Sequence, residues 1–292
     1  MKIFQPIPIS DRTEVLNCLN IHGLCLVNSL IANEKLLSLR NYSRARLGSN
    51  LPVRNGFIQS GNSNFLSHTL LAPHSVEIYA NEDLIHIADA YCESHAHVSN
   101  HRIYENLATL RFIGRPMHWH KDNKIDFLDN NQIHCTKVIE SDKGLILIMY
   151  LDDVETGGTQ FALNSHYYMN NIESFSSKDV SSFEIFTANN LHRGIGILYD
   201  YRIIHRAQPV HDIRHRRLSL FSQMSPRNMP KGEPIAINTD VLFALNNRQK
   251  SFLNFSDGFS SSPNWPLEKT KNVNLFSRTI NKLRTYAGIV KK

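Results

Sequence analysis

The sequence predicts an α+β fold: a double-stranded β-helix (jelly roll) core over about residues 103–225, N-terminal helices packed on one sheet, and a C-terminal amphipathic helix. Three observations predict it. Helical apolar spacing with capping residues dominates the stretch before Ile103. From Ile103 the texture changes to short apolar runs separated by Gly- and Asp-containing turns, the pattern of a β-sandwich or jelly roll. Near the end, Val273, Phe276, Ile280, Leu283, Ala287 and Val290 recur at helical steps, with basic residues around them.

Taken in order, Ser10-Asp11-Arg12-Thr13-Glu14 ahead of Val15, Leu16 and Leu19 is a capped helix start, and Gly23 closes it. A short polar side chain satisfies free N–H groups at a helix start, and glycine takes the left-handed turn at its end. Leu24–Val27 reads as a short strand, and Asn33 to about Leu47 as a second helix carrying Leu36, Leu37 and Leu39. From Gly48 to Ser75 the wealth of Asn, Ser, Gly and Pro predicts loop. Asn81-Glu82-Asp83 caps a third helix running to about Ser94. Leu107–Ile113, Gly144–Leu151, Gly158–Leu163, Phe183–Phe186, Gly196–Ile204 and Arg217–Ser222 are strand-like. Two polar excursions, Asn123–Lys143 and Asn164–Arg193, exceed ordinary connections, and loops of that length often cover a site mouth.

The 292 residues are taken as one domain: a helical N-terminal region over residues 1–102, the core, and an extension over residues 226–292. A hydrophobic share of 41% and a charged share of 20% exclude a disordered chain. The longest apolar runs, such as Leu145–Leu151, are too short to cross a bilayer. Met1-Lys2-Ile3-Phe4 leads into no apolar stretch or cleavage site of a secretory signal. Cys18, Cys25, Cys92 and Cys135 show no paired spacing, so reduced thiols in a cytoplasm are the expectation. The net charge of +6 is concentrated between Pro263 and Lys292, where seven basic residues face one acid, Glu268. A nucleic-acid binder would spread its basic face over the folded body, which sets that class aside. The C-terminal seam is read first as a helix packed on the domain's own sheet; dimer contact and peripheral attachment to an anionic membrane surface are its other readings.

The chemistry points to Leu110–Asp122, where an apolar run ends in Gly114 and Pro116 and is followed by His120-x-Asp122. A period of two puts those side chains on one side of an extended segment. One imidazole and one carboxylate are two corners of a facial triad, and a second His would leave half of an octahedral ferrous ion open. His205 is the candidate third corner, because Gly194–Ile204 reads as a strand approached through a Gly turn and ending on it. A turn segment Arg206–His215 and a return strand from Arg216 follow. An arginine on that return strand could grip a carboxylate with two parallel hydrogen bonds.

These pieces resemble the Fe(II)/2-oxoglutarate-dependent dioxygenases, and within them the phytanoyl-CoA dioxygenase-like branch. The matching residues are His120-x-Asp122, the strand Leu145–Tyr150 running into Leu151-Asp152-Asp153, Gly157-Gly158-Thr159-Gln160-Phe161-Ala162-Leu163-Asn164-Ser165-His166, and Gly194–His205 with the arginines after it. They span roughly Leu107 to Gln223, under half of the chain. The resemblance implies His120, Asp122 and His205 as iron ligands, 2-oxoglutarate and O2 as co-substrates, and succinate and CO2 as products of a hydroxylation. It also implies that the distal carboxylate of 2-oxoglutarate meets Arg217 or Arg216. Family spacing fits both, while strand alternation favours Arg217, which shares a polar face with Ser219. Asn164 stands where the family usually has Gly, which leaves that turn's conformation open. Asp122 is kept as an acid, which speaks against halogenation.

Bland readings accompany several neighbours. His118, Trp119 and His134 are surface or pocket-lining residues, Asp152-Asp153 a turn after a strand, and Tyr199 and Tyr201 packing. Two rivals follow from the same residues: a cupin-type site on His118-x-His120, which lacks its usual Glu because Lys124 and Ile125 stand there, and a catalytically silent jelly-roll binding module. The expected partner is a small organic molecule, and fold does not select among such substrates.

Overall fold

The computed structural model describes residues 5–48, 57–60, 63–66, 69–107, 114, 117–122, 124–129, 132–138, 143–168, 175–212, 215–227, 237 and 239–255. All of them fall in the first of two units into which the chain divides, Met1–Gly258. The expected C-terminal helix and the expected strand beyond Leu107 lie outside the described residues.

In chain order the elements are β1 (Ile7–Pro8), α1 (Arg12–His22), β2 (Leu24–Asn28), α2 (Asn33–Gly48), β3 (Phe57–Ser60), β4 (Ser63–Leu66), α3 (Ser75–Tyr79), α4 (Glu82–Cys92) and β5 (Ala96–Leu107). There follow β6 (Lys124–Asp129), β7 (Gln132–Val138), β8 (Leu145–Tyr150), β9 (Thr159–Ala162), α5 (Ser177–Val180) and β10 (Ile185–Thr187). The last are β11 (Gly196–Asp200), β12 (His205–Ala207), β13 (Arg216–Pro226), α6 (Thr239–Ala244) and α7 (Asn247–Phe252).

Helix ends follow local chemistry. The Asp11 carboxylate accepts from Glu14 N at 3.3 Å, and Gly23 closes α1 at φ 73. The Asn81 side chain accepts from Leu84 N at 3.0 Å to open α4. On α4, Leu84, Ile85, Ile87, Ala88, Tyr91 and Cys92 are buried, an apolar stripe at helical spacing. That stripe faces β5, β8 and β13, and α1 lies on β2 and β11.

An eight-stranded sheet runs in the order β1-β2-β11-β8-β13-β5-β4-β3, and a three-stranded sheet in the order β10-β9-β12. Every residue of β8 and β11 is buried, because one face meets helices and the other meets the small sheet. Strand period fixes which side chain goes where. Leu147, Met149, Leu198, Leu218 and Leu220 take the helix side, and burying each contributes about 2 kcal/mol. Ile148, Tyr150, Tyr199, Arg217 and Ser219 take the inner side, toward the small sheet.

Three expectations need correcting. Residues 48–75 are not all loop: β3 and β4 form an antiparallel hairpin that extends the large sheet, with only Gly61 and Asn62 between its strands. That dipeptide is a hairpin signal hidden in a polar stretch. The excursion Asn123–Lys143 likewise holds a hairpin, β6 with β7. Gly196–Ile204 is not one strand. It ends at Asp200, whose carboxylate accepts from Arg202 N at 2.7 Å and Arg202 Nη2 at 2.6 Å, and from the Tyr91 hydroxyl at 2.7 Å. Ile203 N donates to Asp200 O at 2.9 Å, closing a turn that carries the chain from the large sheet to the small one. Asn164 settles its own question with φ 66, in the left-handed region that Asn tolerates better than most side chains.

Candidate metal centre

Residues 119–122 run along the open side of β12. His120 N donates to His205 O and His205 N to His120 O, both at 2.9 Å, and Asp122 N donates to Tyr201 O at 2.9 Å. Alternation then splits the segment. Trp119 turns outward to a small apolar cluster with Ala162, Phe175, Val180 and Ile204. His120 and Asp122 turn inward beside His205, the residue opposite His120.

These three side chains converge. One ligating atom from each of His120, Asp122 and His205 lies within 4.8 Å of the others. His205 Nε2 is 3.1 Å from Asp122 Oδ2, and His120 Nε2 is 3.7 Å from Asp122 Oδ1. Each imidazole has its other nitrogen on a carbonyl: His120 Nδ1 lies 2.9 Å from His118 O, and His205 Nδ1 3.1 Å from Ile203 O. A carbonyl only accepts, so Nδ1 carries a proton in either charge state, and in the neutral imidazole the Nε2 lone pair is aimed into the cluster. Two imidazole nitrogens and a carboxylate are the donor set that suits Fe(II) with open positions. The side chains of His120 and Asp122 are 29% and 31% exposed, against 6% for His205, so the cluster opens to one side.

The electrostatics suit a cation. Burial pushes the Asp122 carboxyl up, but the charges of His205 and His120 and the hydrogen bonds from His205 and Tyr199 outweigh it and hold it well below the usual carboxylate range. Burial and then the charge of His205 depress His120. For His205 burial works downward, yet the neighbouring Asp122 carboxylate wins and raises it.

Tyr199, a packing residue by its sequence context, does pack, fully buried against Phe161. Its hydroxyl also donates to Asp122 Oδ2 at 3.1 Å. Burial and then the Asp122 charge push its phenol far up, so it stays a donor. The available signal was its inward register on β11. Gln223 Nε2 donates to Asp122 O at 3.3 Å and completes the cradle. Partners of metal-ligating carboxylates commonly change metal affinity by about 10–100-fold. Tyr199→Phe is therefore expected to weaken metal binding by about tenfold without unfolding the protein, read by competition with a metallochromic chelator; unchanged affinity would remove Tyr199 from the cradle.

Arg217 stands along the same inner face. It is 4% exposed, donates through Nη1 to Gly157 O, and stacks over the Tyr150 ring at 5.3 Å. Its Nε and the Ser219 hydroxyl are buried without a hydrogen-bond partner among the described residues. A buried guanidinium nitrogen left unpaired is costly, and a carboxylate ligand would satisfy it. Tyr104 stands opposite Ser219 on β5. Burial outweighs the Arg217 charge there and lifts its phenol to about 12.

Arg216 is the correction. Period two turns it to the opposite face, where Nε and Nη2 donate to the buried Glu105 carboxylate at 3.0 and 2.8 Å. It does not share the inner face with Arg217 and Ser219. The His118 side chain is likewise exposed and outside the cluster, and only its carbonyl takes part, which removes the cupin-type pairing. Asp152 is the expected turn acid, held by Arg40 and Arg44, each at 2.6 Å.

No family model matches the sequence, and no curated protein matches it. Solved structures do. The epimerase SnoN from nogalamycin biosynthesis, in complex with Fe3+, alpha ketoglutarate and nogalamycin RO, aligns with TM-score 0.56 and 13% identity over 74% of this chain and 83% of that one. The fold is that of the non-haem α-ketoglutarate-dependent enzymes. The carbocyclase SnoK of the same biosynthesis aligns at TM-score 0.56 and 14% identity, covering 82% of this chain and 94% of its own. HygX from Streptomyces hygroscopicus, with nickel and 2-oxoglutarate bound, aligns at 0.53 and 14% over 78% and 92%. In this chain, His120, Asp122, His205 and Arg217 all face the space between the two sheets.

Proposed function

We propose that this chain is an Fe(II)- and 2-oxoglutarate-dependent oxygenase of the phytanoyl-CoA dioxygenase-like branch, built on a jelly roll. Its reaction is hydroxylation of an unactivated C–H bond of a small organic molecule. The observation that carries the reading is one inner wall with two features: two imidazole Nε2 atoms converging on a carboxylate, and a buried Arg217 Nε without a partner among the described residues.

In this reading His120, Asp122 and His205 hold the iron, and Arg217 with Ser219 receives the distal carboxylate of 2-oxoglutarate. Fe(II), when bound, supplies O2 activation coupled to oxidation of the keto acid. The balance is one O2, one 2-oxoglutarate and one C–H consumed, giving succinate, CO2 and C–OH. Tyr199 and Gln223 orient Asp122, while Tyr150 and Phe161 keep water from the inner wall. Hygromycin B is bound in HygX and nogalamycin RO in SnoN, which supports a small organic substrate here. The same fold serves an epimerase and a carbocyclase, so the product has to be identified chemically. Among the described residues no helix is long and apolar enough to cross a membrane.

The test is substrate-stimulated decarboxylation of 2-oxoglutarate by the iron-loaded protein across a panel of acyl-CoA esters, amino acids, sugars and secondary metabolites. The expected result is succinate formed in step with a product heavier by one oxygen. Failure to decarboxylate 2-oxoglutarate with any compound or alone would refute an oxygenase.

Metal loading should depend on pH. Iron takes His120 and His205 neutral, and Asp122 raises His205 above the usual 6.5. Protons therefore compete from above pH 6.5 downward, and affinity should fall by at least about tenfold per pH unit below the folded value. Anaerobic Fe(II) titrations at several pH values check this, and a flat profile down to about pH 5 would speak against histidine ligands.

A further inference from the structure

We infer that Gly157 is a positioning residue for the co-substrate: its carbonyl fixes the Arg217 guanidinium, and its missing side chain leaves the space that His215 fills. The inference rests on Arg217 as the partner of 2-oxoglutarate.

Arg217 Nη1 donates to Gly157 O, and the guanidinium stacks on Tyr150, whose hydroxyl accepts from Thr159 N at 3.2 Å. One edge of the guanidinium is thereby tied to the protein, and Nε is left for the ligand. Fixing the cation before the anion arrives saves the ordering cost of binding. Gly157 is itself held, since its N–H donates to Gln208 Oε1 at 3.2 Å. Its φ of 73 favours glycine. A Cβ there would stand 2.9 Å from His215 Cε1 and 3.0 Å from Val210 Cγ2. His215, two residues before Arg217, thus borders the glycine whose carbonyl holds the guanidinium. A methyl group on Gly157 would push His215 away or drag the carbonyl off Arg217.

The experiment measures 2-oxoglutarate binding to the metal-loaded protein by anaerobic calorimetry, with metal affinity determined separately. Gly157→Ala is expected to bind 2-oxoglutarate about tenfold or more weakly, as loss of a charge-assisted hydrogen bond implies. Metal affinity should be unchanged, and in turnover KM for 2-oxoglutarate should rise while kcat at saturation holds. Adding His215→Ala to Gly157→Ala relieves the collision with the imidazole, though not that with Val210 or the strain at φ 73, and should restore part of the affinity. Wild-type binding by Gly157→Ala, or a double variant no better than the single one, overturns the inference while leaving the oxygenase reading standing. No binding by the wild-type protein overturns both. If Gly157→Ala loses metal as well, Gln208→Ala decides: binding weakened about threefold supports the inference, and wild-type binding overturns it.

Discussion

Asp122→Ala is expected to abolish succinate formation and to weaken metal binding by at least about 100-fold, because it removes the carboxylate of the cluster. In the intact protein that carboxylate sits 3.1 Å from His205 Nε2 and is held ionised by both histidines. Two imidazoles alone bring no charge to offset a dication. The substitution also orphans the buried Tyr199 hydroxyl, which costs about 1–3 kcal/mol. A domain of this size should absorb that cost and remain folded. His120→Ala should behave alike. Metal content, succinate and thermal unfolding of the same samples separate the site from the fold, and wild-type turnover in either variant would remove the assignment of these ligands.

Arg217→Met should leave the metal site intact and weaken 2-oxoglutarate binding by about 100-fold. The guanidinium is buried, anchored by Gly157 and Tyr150, and its Nε has no other partner among the described residues. Arg217→Lys should not rescue it, since an ammonium cannot offer two parallel donors or stack as a plane. Arg216→Met is the control. It should bind 2-oxoglutarate as the wild type does but unfold more readily, because buried Glu105 loses the donors at 2.8 and 3.0 Å and keeps Arg44 at 3.4 Å. A normal affinity in Arg217→Met, or the defect appearing in Arg216→Met, would reverse the assignment.

How much of this could be read from the sequence follows from the range of each interaction. The caps at Asp11 and Asn81 and the Gly23 stop are local chemistry and lie where they are expected. The apolar run of β8 and the largely apolar run of β11 announce strands buried on both faces. Period two is enough to put His120 with Asp122, and Arg217 apart from Arg216. What escapes the sequence is set by non-local pairing. The hairpins at 57–66 and 124–138 have polar compositions, so their strands are hidden among turn residues. The turn at Asp200 is closed by Arg202 and Ile203, and its buried carboxylate is also held by Tyr91, 109 residues away. Tyr199 reads as an apolar filler until Asp122, brought in from another segment, gives its hydroxyl a partner.

The most direct measurement is an anaerobic titration of the purified protein with Fe(II) and 2-oxoglutarate, followed by visible absorption and calorimetry. The account predicts one iron and one 2-oxoglutarate per chain, with a weak charge-transfer band that arises only when both are present. Binding of 2-oxoglutarate without metal, or iron bound with no band on adding the keto acid, would contradict it.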